Sequence, residues 1–196
     1  SIFENDEKRW KERFSDISSM KGSENPYSLH NELAEAMISN VLIVRENDKL
    51  QSTLDVIEDI ESRWKNIECV DTQDWSNPVP SFVNQLWNMI QLSKIITMGA
   101  LKRDEFRGSH YKPEFDLNQP DDFDPADYLE YEEQKANGGV HKNQFAPSHV
   151  DYMERFEKNN EDWLKSSIAT YNNGKPAVDF ESVDTSLIAP RPRKYD

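Results

Sequence analysis

The chain has 196 residues, and its 37 acidic side chains outnumber the 23 basic ones to give a formal net charge of −14. That length suits one domain of ordinary size, or a domain with an appendage. The charge argues against a nucleic-acid binder, which needs a clustered basic face, and against docking on an anionic lipid surface.

The first 18 residues, with Phe3, Trp10, Phe14 and Ile17, read as a helix already running when the sequence opens. The opening Ser1-Ile2-Phe3 has no Met and no targeting segment, so the chain reads as a piece cut from something larger. Asn25-Pro26 is a helix start, because Asn caps and Pro is tolerated in the first turn. Leu29, Leu33, Met37, Val41 and Val44 then recur at spacings of four and three, one face of a helix. A second run carries Leu50, Leu54, Ile57, Ile60, Trp64 and Ile67. The third follows the break Asn77-Pro78-Val79-Pro80 and carries Phe82, Leu86, Met89, Ile90, Ile96 and Ala100. Val83, Trp87, Leu92 and Ile95 widen its stripe, which predicts a central helix with neighbours on more than one side. Residues 1–115 thus read as an antiparallel three-helix bundle with a preceding N-terminal helix, and no strand pattern precedes residue 116.

The charge then becomes lopsided. Residues 116–162 hold 13 acidic and 4 basic side chains, so this stretch supplies −9 of the total. Pro120, Asp121, Asp122 and Asp124-Pro125 mark a loop, and 126–136 and 149–158 read as short helices on either side of Asn137-Gly138-Gly139. The whole chain's five Trp, seven Tyr and nine Phe are too many for a disordered acidic polymer. Residues 116–160 therefore read as an acidic helical insertion. In the closing part, 161–196, runs at 163–171 and 177–183 flank Asn172-Asn173-Gly174 and predict a small β-hairpin. Pro190 and Pro192 keep the end extended. The expected fold class is mainly α: an antiparallel three-helix bundle, an acidic helical insertion, and a C-terminal β-hairpin plus extended tail.

Several chemistries lack their signatures. There is no Gly-x-Gly-x-x-Gly, no Walker loop, no Gly-x-Ser-x-Gly elbow and no His-Glu-x-x-His, and only six glycines occur in all. The lone Cys69 allows neither an internal disulfide nor a thiolate metal cluster. His141 and His149 read as solvated histidines, and His30 as a surface or capping contact. The carboxylates at Asp121-Asp122 and Glu130, Glu132 and Glu133 lack a metal-loop spacing and read as a solvated face. No catalytic, cofactor-binding or metal-ligating residue is assigned.

One segment stands out, Lys102 to Glu114, directly after the most apolar helix. Gly108 permits a tight turn, Arg107 offers a planar fork, and His110 adds a donor. Such a turn binds an anion or locks one domain onto another. The structural role is favoured, because Arg and His often satisfy buried carbonyls at interfaces. Arg107, Gly108 and His110 are the candidate domain-interface residues.

Arg-Asp-Glu-Phe-Arg-Gly-Ser-His-Tyr-Lys-Pro-Glu-Phe, residues 103–115, resembles a Glu-Ser-Arg-Gly-x-His segment near the C-terminus of succinate dehydrogenase and fumarate reductase flavoproteins. L-Aspartate oxidase has a similar segment. Residues 25–33 and 44–50 resemble the first helices of that family's C-terminal helical domain. Asn160 to Lys165 and Asp184 to Tyr195 resemble its later elements, in order and in the form that works with a dihaem cytochrome b anchor. The family usually has Ser where this chain has Phe106, and 116–160 is longer than the resemblance leads one to expect.

The resemblance implies a parent flavoprotein with covalent FAD that interconverts succinate and fumarate by hydride transfer, with no FAD bound by this part alone. It implies contacts with the FAD and capping domains of the same polypeptide. Its implied partners are a cytochrome b membrane anchor and an iron–sulfur subunit. The location it implies is the cytoplasmic side of a membrane, peripheral and without direct membrane contact. Family residues for flavin linkage, dicarboxylate binding and proton shuttling have no counterpart in this sequence. The alternatives are the C-terminal domain of an L-aspartate oxidase and an independent acidic protein-binding module.

Overall fold

The computed structural model describes every residue except Thr72, Asp74, Asn173, Gly174, Tyr195 and Asp196. Four long helices come first: α1 (Ile2–Ser18), α2 (Pro26–Asn40), α3 (Asn47–Trp64) and α4 (Val79–Lys102). They are followed by α5 (Pro125–Ala136), α6 (Pro147–Trp163), β1 (Lys165–Asn172) and β2 (Lys175–Ser182). The fold is mainly α, as expected.

Local chemistry accounts for the helix starts. The Asn25 side chain accepts from the backbone N–H groups of Tyr27 and Ser28, and Pro26 fills the first turn of α2. Asp124 caps α5 in the same way, with Pro125 behind it. A reciprocal capping box between Ser1 and Glu4 starts α1.

α2, α3 and α4 pack on one another, and α1 lies against α4. Ile17, Leu29, Leu33, Ile57, Ile60, Trp64, Ile67, Leu86 and Ile90 form the main core, so the periodic residues read from the sequence meet there. The Trp64 Nε1–H donates to the Val83 carbonyl at 3.0 Å and pins the end of α3 to the start of α4. The link between α1 and α2 runs close under residues 66–67. The N–H groups of Gly22, Ser23 and Glu24 donate to the carbonyls of Ile67 and Asn66 at 2.9–3.0 Å. A Cβ on Gly22 would lie 1.9 Å from the Asn66 carbonyl oxygen, so only glycine fits.

Some stripe members behave otherwise. Val44 lies beyond the end of α2 and is exposed. Met89 and Ile96 of α4 are exposed, because the buried face runs through Val83, Leu86, Ile90, Ser93, Thr97 and Ala100. The stripe on α4 is wider than one packing face. The bundle takes one side, the hairpin packs further along, and Leu92 and Ile96 are left outside.

The acidic stretch has a core of its own. Phe123, Tyr128, Tyr131, Phe145, Val150, Tyr152 and Met153 are buried together, edged by Leu117, Val140 and Phe156. Phe123 meets Tyr152 edge-on with ring centroids 4.8 Å apart. β1 and β2 pair antiparallel from Lys165↔Ser182 to Asn172↔Lys175, and the expected turn residues Asn173 and Gly174 lie outside the described residues. The tail then runs back without helix or strand to Lys194, whose Nζ donates to the Asp121 carbonyl at 2.9 Å. Among the described residues, no helix is long and apolar enough to cross a membrane.

Candidate functional site

α4 stops where Arg103 leaves helical conformation, at φ −100° and ψ 97°. The chain then folds back on itself. Arg107 and His110 exchange backbone hydrogen bonds at 3.0 and 3.1 Å, with Gly108 between them at φ +60°. Nothing crowds a Cβ at Gly108, so its requirement is conformational rather than steric. The Tyr111 N–H donates to the Ile43 carbonyl, and the Arg45 N–H to the Tyr111 carbonyl, which ties the turn to the link between α2 and α3.

Inside the turn sits Glu105, fully buried. Arg103 Nε donates to its Oε1 at 2.5 Å, and Arg107 Nε and Asn159 Nδ2 donate to its Oε2 at 2.8 and 3.2 Å. A buried carboxylate is tolerable only when paired and hydrogen-bonded, and this one is both. The two arginines then reach outward. Arg107 Nη2 donates to Asn160 Oδ1 at 2.9 Å. Arg103 donates to the carbonyls of Trp163 and Lys165 at 2.5 and 2.9 Å. One carboxylate thus clamps the ends of α4 and α6 and the start of β1.

His110 faces the other way. Its Nε2 lies 2.8 Å from the Arg103 carbonyl, which only accepts, so Nε2 carries the hydrogen. Its Nδ1 meets Nη1 of Arg45, which only donates, so Nδ1 is the acceptor and the ring is neutral. Burial pushes the His110 pKa below its ordinary value, and the charges of Arg45 and Lys112 push the same way. Lys112 is itself fully buried, with Nζ donating to the Leu101 carbonyl at 3.0 Å and to Asp104 at 2.8 Å. It satisfies one of the carbonyls left open at the end of α4.

Arg107, Gly108 and His110 therefore stand together in one turn, and their polar atoms are used within the chain. Sequence reasoning gave Glu105, Arg103, Lys112 and Arg45 no role in this turn, reading Arg103 only as a charge suited to the negative end of the α4 dipole. The signal for the first two was present as alternate Arg-x-Glu-x-Arg spacing at 103, 105 and 107. Phe106 packs on Tyr111, ring centroids 4.7 Å apart, so an aromatic contact stands where the resembled family has a hydroxyl.

Two grooves flank the turn. A wider one of about 780 Å³ lies between α6, the tail and residues Phe106 to Gly108. A narrower one of about 380 Å³ lies between α4 and the hairpin, reached by Arg45, His110, Ile96, Gly99 and Val178.

His149 corrects the sequence reading. It is buried rather than solvated, with Nδ1 3.1 Å from Asp127 Oδ2, Nε2 3.2 Å from Asp122 Oδ1, and Phe123 edge-on to the ring. It sits on the inward face of α6, where the aromatic core excludes water and two carboxylates near the start of α5 satisfy both nitrogens. His141 is exposed, and the half-buried His30 ring leans on Phe82. Among the described residues, no three His, Cys, Asp or Glu side chains gather as a metal site.

The family described as Fumarate reductase flavoprotein C-term matches residues 30–195. The chain belongs to this family. The succinate dehydrogenase flavoprotein subunit of Bacillus subtilis (strain 168) is 39% identical over the whole chain, which spans 27% of that protein. The 8-methylmenaquinol:fumarate reductase flavoprotein subunit of Wolinella succinogenes is 26% identical over 68% of the chain and 21% of its own length. Among solved structures, E. coli quinol fumarate reductase FrdA, in a mutant form, has the same fold. The TM-score is 0.68 at 18% identity, over 97% of this chain and 26% of that one. The chain spans about a quarter of the length of the curated relatives it matches.

The family implies a flavin, and the residues present do not fit one. Among the described residues, the only sheet is one antiparallel hairpin, and the only adjacent glycines, Gly138 and Gly139, follow a helix rather than a strand.

Proposed function

We propose that this chain is the C-terminal supporting domain of a flavoprotein subunit that interconverts succinate and fumarate, with the chemistry carried out elsewhere in the same polypeptide. The observation that carries this reading is the 39% identity to a succinate dehydrogenase flavoprotein subunit over the entire chain. The poor fit to a dinucleotide supports the second half. FAD belongs, in this reading, to the FAD domain of the parent.

Three units make up the domain: the bundle with its preceding helix over 1–115, the acidic insertion over 116–160, and the hairpin and tail over 161–196. Arg107, Gly108 and His110 shape the surface that meets the FAD and capping domains. The inward use of their polar atoms supports a rigid docking turn rather than a ligand site. The parent assembles with a cytochrome b anchor and an iron–sulfur subunit, peripheral on the cytoplasmic face of a membrane. Names of the relatives, all succinate- or fumarate-directed where a substrate is stated, favour this over an L-aspartate oxidase.

The test is direct. The isolated chain, mixed with FAD, succinate and an artificial electron acceptor, gives no turnover and retains no flavin on gel filtration. Either activity or flavin retention overturns the supporting role. A parent flavoprotein that oxidises aspartate in preference to succinate overturns the substrate assignment.

A further inference from the structure

The narrow groove beside His110 holds a guanidinium without a counter-charge. Arg45 is half-buried, and its Nε and Nη2 donate to the Val41 and Leu42 carbonyls at 2.8 and 3.4 Å, while Nη1 faces neutral His110. Among the described residues, no carboxylate pairs with it. The nearby acids are engaged: Glu46 with Lys49, Asp104 with Lys112, and Glu105 with Arg103 and Arg107. Burial is the cause that lowers the Arg45 pKa, and no acid offsets it. A partly desolvated, unpaired cation is costly unless something supplies the missing charge.

The surroundings say what kind of group would fit. Lys102, Arg103 and Lys112 lie near Arg45 at the end of α4, each already engaged: Lys102 with the Val178 carbonyl, Arg103 with Glu105, and Lys112 with Asp104. The groove floor is apolar, with Ile96, Gly99, Ala169 and Val178, and a Cβ on Gly99 would meet nothing within 4 Å. Exposed Leu42, Ile43 and Val44 directly precede Arg45, and exposed Ile96 belongs to the groove itself. Apolar ground around one unpaired guanidinium matches a protein segment that brings an acidic side chain between apolar ones.

We infer that the groove between α4 and the hairpin is a docking site for a polypeptide segment whose Asp or Glu side chain pairs with Arg45. This extends the docking part of the function proposed above. It needs only this groove, and holds whatever reaction the parent performs.

The test uses the 196-residue chain and two acetylated, amidated peptides, Ala-Leu-Glu-Leu-Ala and its Gln counterpart, followed by NMR. The Glu peptide shifts the Arg45 Nε–Hε signal and the amides of Gly99 and Ala169 saturably, with Kd on the order of 1 mM. The Gln peptide binds at least tenfold more weakly. Arg45→Gln removes the difference between the two peptides. Because Arg45 also holds the carbonyls at the end of α2, Gly99→Leu provides a second, independent arm. It fills open space on a helix face and abolishes Glu-peptide binding in a folded protein. Three results overturn the inference: equal binding of the two peptides, no saturable shift, or acetate shifting Arg45 as strongly as the peptide with Gly99→Leu indifferent. The last would make the groove a small-anion site. None of these outcomes bears on whether the parent oxidises succinate.

Discussion

Two glycines and one histidine carry constraints that their neighbours impose. Gly22 has no room for a methyl group, since its Cβ would overlap the Asn66 carbonyl, a backbone atom that cannot swing away. Gly22→Ala is therefore expected to cost on the order of 3 kcal/mol, read as a lower urea midpoint with unchanged slope. Gly108→Ala acts by a different route, through the φ of +60°, and should cost about 1–2 kcal/mol. His110 is held neutral, so the unfolded chain takes up a proton where the folded one does not. Its contribution to stability is complete above the ordinary histidine pKa of 6.5 and is lost as the pH falls from there towards the depressed folded value. Many carboxylates also titrate on acidification, so the comparison must isolate this ring. The stability of wild type minus that of His110→Gln should shrink between pH 7.5 and pH 5. A constant or growing difference would show that the folded ring accepts a proton at least as readily as the unfolded one. The charged groups facing it are Arg45, Lys112 and Glu105.

At the scale of elements, the decisive group is Glu105, since it joins segments distant in sequence. Glu105→Ala leaves two guanidinium groups short of their carboxylate and removes the anchor of Asn159. Breaking a buried pair in this way is expected to cost about 3–5 kcal/mol. Hydrogen exchange should rise first at the end of α6 and the start of β1, where Arg103 holds the carbonyls of Trp163 and Lys165. If protection there is unchanged, the clamp is not what fixes the hairpin to the bundle. Much of the element order is legible in the sequence. Asn25-Pro26 and Asp124-Pro125 are local signals with local consequences, and the periodic residues from Leu29 to Val41 and from Leu50 to Ile67 turn inward because burial repeats with the helix. The clamp is not legible as a clamp. Pairing of Arg103 with the end of α6 depends on a return of the chain some 60 residues later, which no local pattern encodes. For the same reason the turn at 107–110 can be located from sequence but not its inward direction.

For the whole molecule, net charge misdirects. Residues 116–162 hold most of the −14, yet they also hold a buried aromatic cluster. Acidity sits on the outer faces of α5 and α6, and Phe123, Tyr128, Tyr131, Tyr152 and Met153 fill the space between them. His149 is drawn inside because Asp122 and Asp127 supply its partners there. Among the described residues, the core of the acidic part therefore shares no residue with the hydrophobic clusters of the bundle, and the polar contacts of Glu105, Arg107, Asn159 and Asn160 bridge the two parts. Polar bridges transmit less cooperativity than a continuous apolar core, so the two parts should lose protection separately. Phe123→Ala tests this. It removes a fully buried ring from the second core alone, a loss of about 3–5 kcal/mol at that site. Amides of α5 and α6 should then exchange faster by several orders of magnitude, while those of α3 and the buried face of α4 keep their wild-type rates. A uniform acceleration across α2, α3 and α4 would mean instead that the acidic part and the bundle unfold as one unit.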